Sequence, residues 1–150
     1  MKLFKSQPDT QKFTEPIIFI NASEHAQGNT SRLGQQLLAG KDFTKVDLVN
    51  YRIDQLSQHF EDDQFDEILD QIQDAQMIIV GIPIYWHLIS GYAKTFFERL
   101  SRDSDGILIG KQLGVFIHGS EPSDAVASTG NLVQRFAQVE QMDNLGVWAL

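Results

Sequence analysis

The 150-residue chain has no cysteine, only four prolines, and fewer bases than acids, 12 against 20. Without cysteine there are no disulfides, thiolate metal ligands, Fe–S clusters or cysteine nucleophiles, so chemistry must come from other side chains or a bound group. The formal charge of −8 works against the Lys and Arg contacts that bind phosphate backbones, and nucleic acid is not expected as a partner. Long apolar runs are missing as well. The run Met77–Val80 falls far short of the roughly 20 residues of a membrane span, and residues 1–16 hold no signal-peptide core. The expectation is a cytoplasmic protein without membrane or secretory character. The histidines His25, His59, His87 and His118 form no ligand-spaced pair, so no metal site is expected.

With 42% hydrophobic residues the chain has the composition of one folded domain. At this length roughly 70% of the unfolded surface can be buried, enough for a core without covalent staples. A polar tail at 1–16, with scattered Leu3, Phe4 and Phe13, precedes a single domain at 17–150. Within the domain apolar runs alternate with helical stripes. Strands are expected at 16–20, 45–50, 77–82, 113–117 and 145–150. Helices are expected from about Thr30 to Gly40, Glu61 to Ala75, after Ser90 through Leu100, and from Val126 to Val139. Continuous apolar strands between helices indicate an α/β domain with a parallel sheet covered on both faces. Five such units suit a doubly wound sheet of order 2-1-3-4-5, whose ligands bind beyond the carboxyl ends of the strands.

Three loops lie at those ends. The first, Asn21 to Ser31, leads into a helix N-terminus, where free N–H groups and the helix dipole favour an anion. Ser23, Asn29, Thr30 and Ser31 can add donors, and Gly28 admits a close backbone approach; alternatively Asn29 or Thr30 simply caps the helix. No Gly-x-Gly-x-x-Gly or P-loop is present. The second, Gly81 to Gly91, carries Tyr85 and Trp86 off any helical stripe, offering a flat wall for a planar ring with His87 beside it. Covering the sheet end is the other role these aromatics can play. The third, His118 to Asp124, is small and polar, and its Ser123 is a possible helix cap; the Gly-x-Ser-x-Gly elbow of a hydrolase is absent. Eight acids between Asp54 and Asp74, with no Lys or Arg among them, form either a solvated face or a docking face for a basic partner.

From about Ile17 to Arg99 the chain resembles the flavodoxin-like NAD(P)H-dependent FMN reductases. Residues 22–30 are similar to that family's Ser-Pro-Arg-x-x-Gly-Asn-Thr phosphate loop. Asp62-Asp63, the stretch Ala75–Trp86 and the stretch Lys94–Arg99 are similar to its flavin loop and the helix that follows. His25 stands where the family often has Arg, and Glu24 where it usually has Pro. Cysteines that some relatives carry after the second strand have no counterpart in Tyr51 to Phe60.

The resemblance implies that FMN is the cofactor and NAD(P)H the co-substrate. It places the phosphate on Ser23, Asn29 and Thr30, within a cofactor set that also takes in His25, Gly28 and Ser31. The isoalloxazine ring is bordered by Pro83, Ile84, Tyr85, Trp86 and His87, and flanked on its far side by Gly119 and Ser120. Tyr85 and His87 are the candidates for contacting a small acceptor such as a quinone. The alternatives are a single-electron carrier between proteins and a relative that has lost FMN and serves as a binding module. A response-regulator receiver is excluded, because Gly81-Ile82-Pro83 stands where the phosphorylated Asp would be. Relatives usually continue past strand five into a final helix, which this sequence lacks. An apolar sheet face left open there would need the tail or another subunit, and a homodimer is expected.

Overall fold

The computed structural model describes residues 4–5 and 7–150; of the tail, Leu3 and the rest of positions 1–3 and 6 lie outside the described residues. The sheet is built around β2 (Ile17–Asn21), which is buried along its whole length. Its β-branched run has neighbours on both sides, as a central parallel strand requires. Parallel partners are β3 (Phe43–Asp47) on one side and β4 (Met77–Tyr85) on the other, followed by β6 (Gln112–His118) and β7 (Asp143–Ala149). The five expected strands are thus neighbours in the expected sequence, within an α/β fold with a parallel sheet.

Two further strands correct the five-stranded expectation. β1 (Phe4–Lys5) pairs parallel with β7, Phe4 opposite Val147, and forms the sheet edge. β5 (Leu88–Ile89) turns back antiparallel onto the end of β4. Two-residue strands are too short to leave a periodic signal, which is why neither is visible as a pattern.

The helices α1 (Asn29–Leu37), α2 (Phe65–Gln73), α3 (Gly91–Asp103) and α4 (Ser123–Glu140) fill the crossovers. α2 begins four residues later than the stripe suggests, because Asp54 and Asp63 spend their carboxylates on backbone N–H groups of the preceding loop. β3 also stops early, ending in a 3-10 turn at Leu48–Asn50. Right-handed crossovers put α2, α3 and α4 on one face, over a core that includes Ile18, Ile20, Phe65, Ile68, Phe96, Leu100 and Val133. α1 covers the opposite face with Leu33, Leu37 and Leu38 against Ile17, Phe19, Met77 and Ile79. At Gly34 the helix rides so close to the sheet that a Cβ would stand 2.1 Å from Phe19 Cζ.

The α1 face is where an open apolar patch is expected, and it is closed within one chain. A 3-10 turn at Thr10–Lys12 brings Phe13 down on Trp148, ring centroids 5.9 Å apart, while Met77, Ile79 and Phe116 are fully buried. Gln112 fastens the segment: its Oε1 accepts from Thr14 N and its Nε2 donates to Lys12 O, both at 2.8 Å. Burying a Phe side chain contributes on the order of 2 kcal/mol. The homodimer expected from an open sheet face therefore loses that ground. Among the described residues no helix is long and apolar enough to cross a membrane.

Candidate functional site

At the carboxyl edge of the sheet, Asn21 of β2 pairs with Gly81 of β4, and Pro83 of β4 with His118 of β6, so the three loops emerge side by side. The loop after β2 is held from below by Asn21, which is fully buried. Its Nδ2 donates to Asp47 Oδ1 (2.9 Å) and His25 O (3.2 Å), and its Oδ1 accepts from Ser23 N (3.2 Å). Lys45 Nζ holds Ala26 O at 2.8 Å and Asp47 at 3.0 Å, so this cation is already occupied by protein. From the other side Ser90 Oγ donates to Ala22 O (2.7 Å) while accepting from Ala93 N as the N-cap of α3.

The start of α1 decides between anion binding and simple capping. The N-cap is Gly28, not Asn29 or Thr30, and no side chain bonds the first turn. Arg32 N, bonded to Gly28 O, is the first backbone donor to find an intrahelical partner, so the N–H groups of Asn29, Thr30 and Ser31 point outward unpaired. A helix N-terminus left in this state attracts an anion through donors and dipole together. Thr30 and Ser31 are buried beside these amides, so their hydroxyls stand at the same helix end. Ser23 Oγ accepts from His25 N at 3.0 Å, which leaves its own proton to give. Asn29 is exposed, with Oδ1 taken by Arg32, so its amide N–H₂ is the part free to donate. His25 does not reach inward: its Nε2 pairs with Glu24 Oε1 at 3.1 Å on the exposed rim. The donor set is thus largely neutral, three backbone amides with the hydroxyls of Ser23, Thr30 and Ser31, and it suits a phosphate monoester.

The second loop is a correction. Pro83, Ile84 and Tyr85 belong to β4, not to a loop, and only Trp86 and His87 form the turn, with Tyr85 opposite Leu88 in the hairpin. Both turn residues have positive φ, 51° and 67°. Two-residue hairpins ask for that geometry, but Asn and Gly normally supply it. Trp86 is 93% exposed, so no packing within the chain offsets the strain. His87 Nδ1 lies 2.5 Å from Asp124 Oδ2 in the first turn of α4, leaving only Nε2 for other contacts. Gly119 sits against Ile84, where an added Cβ would come within 3.3 Å of Ile84 Cβ, and Ser120 beside it is exposed. α4 starts after Pro122 with no side-chain cap, so Ser123 does not cap it.

Two elements escaped the sequence. Asp124, the partner of His87, gives no signal of its own. The acidic run is not one uniform face: Asp54 is buried, with Oδ2 accepting from Phe60 N, and Asp63 receives Arg99. The hydrogen bond from Arg99 holds the Asp63 carboxyl below its usual range, against the opposing effect of burial.

Comparison with known proteins gives the family and the fold. The chain is 30% identical over 94 residues to a Bacillus subtilis (strain 168) protein named as an NAD(P)H-dependent FMN-containing oxidoreductase, YwqN. The alignment takes in 57% of this chain and 52% of that one, so the chain spans about half the length of the curated relative it matches. Among solved structures it is similar to the Trp repressor binding protein from Bacillus subtilis, with a TM-score of 0.72, 24% identity, and coverage of 89% of this chain and 84% of that one. It is also similar to the two-electron reduced flavodoxin of Megasphaera elsdenii, with a TM-score of 0.60, 17% identity, and coverage of 89% and 86%. At such identities the structures establish the flavodoxin-like fold alone. A family model spans nearly the whole domain, residues 16–148, and by that match the chain belongs to the NADPH-dependent FMN reductases.

Proposed function

We propose that the chain is an FMN-dependent oxidoreductase that takes electrons from NAD(P)H and passes them through bound flavin to a small acceptor such as a quinone. The observation that carries this is the uncapped N-terminus of α1 beside an aromatic hairpin, at adjacent strand ends. When bound, FMN supplies the redox chemistry, taking two electrons and a proton from the nicotinamide and releasing them to the acceptor.

The chain's own tasks are binding and orientation. The amides of Asn29, Thr30 and Ser31, with the hydroxyls of Ser23, Thr30 and Ser31, hold the phosphate. Pro83 to Tyr85 form one wall for the ring, and Trp86 and His87 carry turn N–H groups outside the ladder that can meet its polar edge. Gly119 and Ser120 lie at the neighbouring strand end, where a small residue leaves room. Tyr85 and His87 are the side chains we assign to the acceptor, His87 through Nε2. The cytoplasm, where NAD(P)H is available, is the proposed setting.

The exposed acids on α2, Asp66, Glu67 and Asp70, favour a second function as a single-electron carrier docking a basic protein. The visible spectrum of the protein after FMN addition and gel filtration tests flavin binding. NAD(P)H oxidation with a quinone and no added protein then separates enzyme from carrier. A colourless protein that cannot be reconstituted removes both.

The homodimer is retained as a proposal on a different surface, the hairpin, where Trp86 and Leu88 (58% exposed) project together. A light-scattering mass of a single 17.0 kDa chain at micromolar concentration overturns it.

A further inference from the structure

Away from the strand ends, α3 and α4 leave between them a groove of about 560 Å³, within the range of small-molecule sites. Its lining contains none of the residues assigned to phosphate, ring or acceptor. Phe97 and Phe136 form the floor, and Leu132, Val139 and Leu56 the apolar sides. Val139 is 54% exposed, so this apolar surface has no cover among the described residues.

The rim carries the opposite charge to the rest of the molecule. Lys94, Arg102 and Arg135 line the groove with a single acid, Glu98, in a chain of 12 bases and 20 acids. Glu98 is already matched, its Oε2 lying 3.1 Å from Lys94 Nζ. Of the neighbouring acids, Glu140 Oε1 accepts from Ser101 Oγ at 3.0 Å, and Asp103 Oδ2 accepts from Arg99 Nε at 2.8 Å. Two arginines are left over. Arg135 Nη1 donates to the neutral Gln138 Oε1 at 3.1 Å, and among the described residues Arg102 has no partner.

The floor decides what kind of tail fits. A flat ring gains most by lying on an open aromatic face. Here Phe97 is 3% exposed, its ring already held edge-on by Phe96 (centroids 5.7 Å apart) and Phe136 (5.1 Å). The groove instead runs along the helices, its α3 positions extending from Lys94 to Arg102, a rise of about 12 Å. An unbranched chain follows such a path. The Leu56 wall is also fixed beforehand: the Asp54 carbonyl accepts from Arg99 Nη1 (2.8 Å) and Asp54 Oδ2 from Phe60 N (2.7 Å). A site set before its ligand arrives loses little entropy on binding.

We propose that this groove binds a medium-length linear carboxylate, a fatty-acid anion, with its tail along Phe97, Leu132 and Phe136 and its head at Arg102 and Arg135. Each methylene laid on the floor adds affinity, and the two guanidinium groups give charge-assisted hydrogen bonds to the carboxylate. The site stands whether or not the chain holds flavin.

The test is calorimetric titration of the purified protein with decanoate, octanoate and octanol, each below its micellar or solubility limit. One decanoate per chain is expected, with octanoate about four- to fifteenfold weaker for its two missing methylenes. Octanol, which keeps the octanoate tail without the charge, is weaker again by about fivefold or more. Arg102→Gln combined with Arg135→Gln weakens decanoate about tenfold and leaves octanol within about twofold. Val139→Asp, which puts an acid at the mouth, also weakens decanoate about tenfold. All three positions are exposed, and thermal melting checks that each variant folds. No binding of decanoate, octanol as tight as octanoate, affinity untouched by the variants, or decanoate displaced by FMN overturns the proposal. Binding to phosphatidylglycerol vesicles without binding of free decanoate also overturns it, making the groove a membrane contact. A light-scattering mass of two chains that Val139→Asp halves does the same, giving the groove to a second copy.

Discussion

Arg99 and Asp63 meet in a two-pronged ion pair: Nη1 and Nη2 of the guanidinium each stand 2.9 Å from one carboxylate oxygen. Arg99 also bonds Asp103 Oδ2 at 2.8 Å and lies over the Phe65 ring, 4.8 Å from its centroid. One side chain of α3 thereby fixes the loop before α2, the first turn of α2 and its own helix. Both partners are largely shielded from water, Arg99 at 12% side-chain exposure, so the pair is not dissipated by solvent.

Arg99→Ala is expected to cost about 2–4 kcal/mol, because it leaves Asp63 shielded without a counter-charge. Urea unfolding measures it. A loss under about 0.5 kcal/mol, the range of ordinary surface substitutions, would mean the loop holds itself.

Asp63 also sets an acid limit. Its folded pKa is lowered, chiefly by the Arg99 hydrogen bond, so its contribution is fully present above its unfolded pKa, near 4. That contribution is lost as pH falls through the lower folded value. The urea midpoint of the wild-type chain should fall more steeply below about pH 4 than that of Asp63→Asn. Parallel curves for the two would assign the acid sensitivity to other carboxylates.

Trp86→Asn should raise stability by about 0.5–1 kcal/mol, since Asn tolerates positive φ and the exposed indole gives up no packing. The same change should lower quinone turnover if the indole borders the flavin. A variant that is both less stable and fully active contradicts the account of this turn.

At the phosphate loop, His25→Arg puts a permanent cation on the rim next to Gly28, with a side chain long enough to leave Glu24 and turn toward an anion held by the three free amides of α1. FMN is expected to bind about three- to tenfold more tightly, with the gain shrinking as salt rises. Equilibrium dialysis at two ionic strengths checks it, and a gain independent of salt would deny the charge effect.

Gly34→Ala gains helix propensity but drives a methyl into the Phe19 ring. Overpacking wins, with a net loss of about 1–3 kcal/mol in thermal or urea unfolding.

The parallel core was legible because Ile17–Ile20 and Met77–Ile82 are apolar without a break, which only a strand covered on both faces tolerates. Ser23, Thr30 and Pro83 were placed at adjacent strand ends because topology alone brings them there. The hairpin was not legible: Pro83 reads as a strand breaker, and Trp86-His87 has none of the residues that announce a two-residue turn. The cleft lined by Tyr51, Tyr85 and Tyr92 was hidden for another reason: the three residues lie on different elements, and no sequence pattern joins them.

Phe13 resting on Trp148, and Phe4 paired with Val147, join residues from opposite ends of the chain. During synthesis at about 5–20 residues per second, the segment that seals the α1 face emerges more than 130 residues ahead of its partners on β7. Until position 148 has left the ribosome, Phe116 lacks its β7 neighbour, and only α1 covers Met77 and Ile79 from that side. Such long-range closure slows folding, and it makes the nascent chain, rather than the finished one, the form most in need of a chaperone.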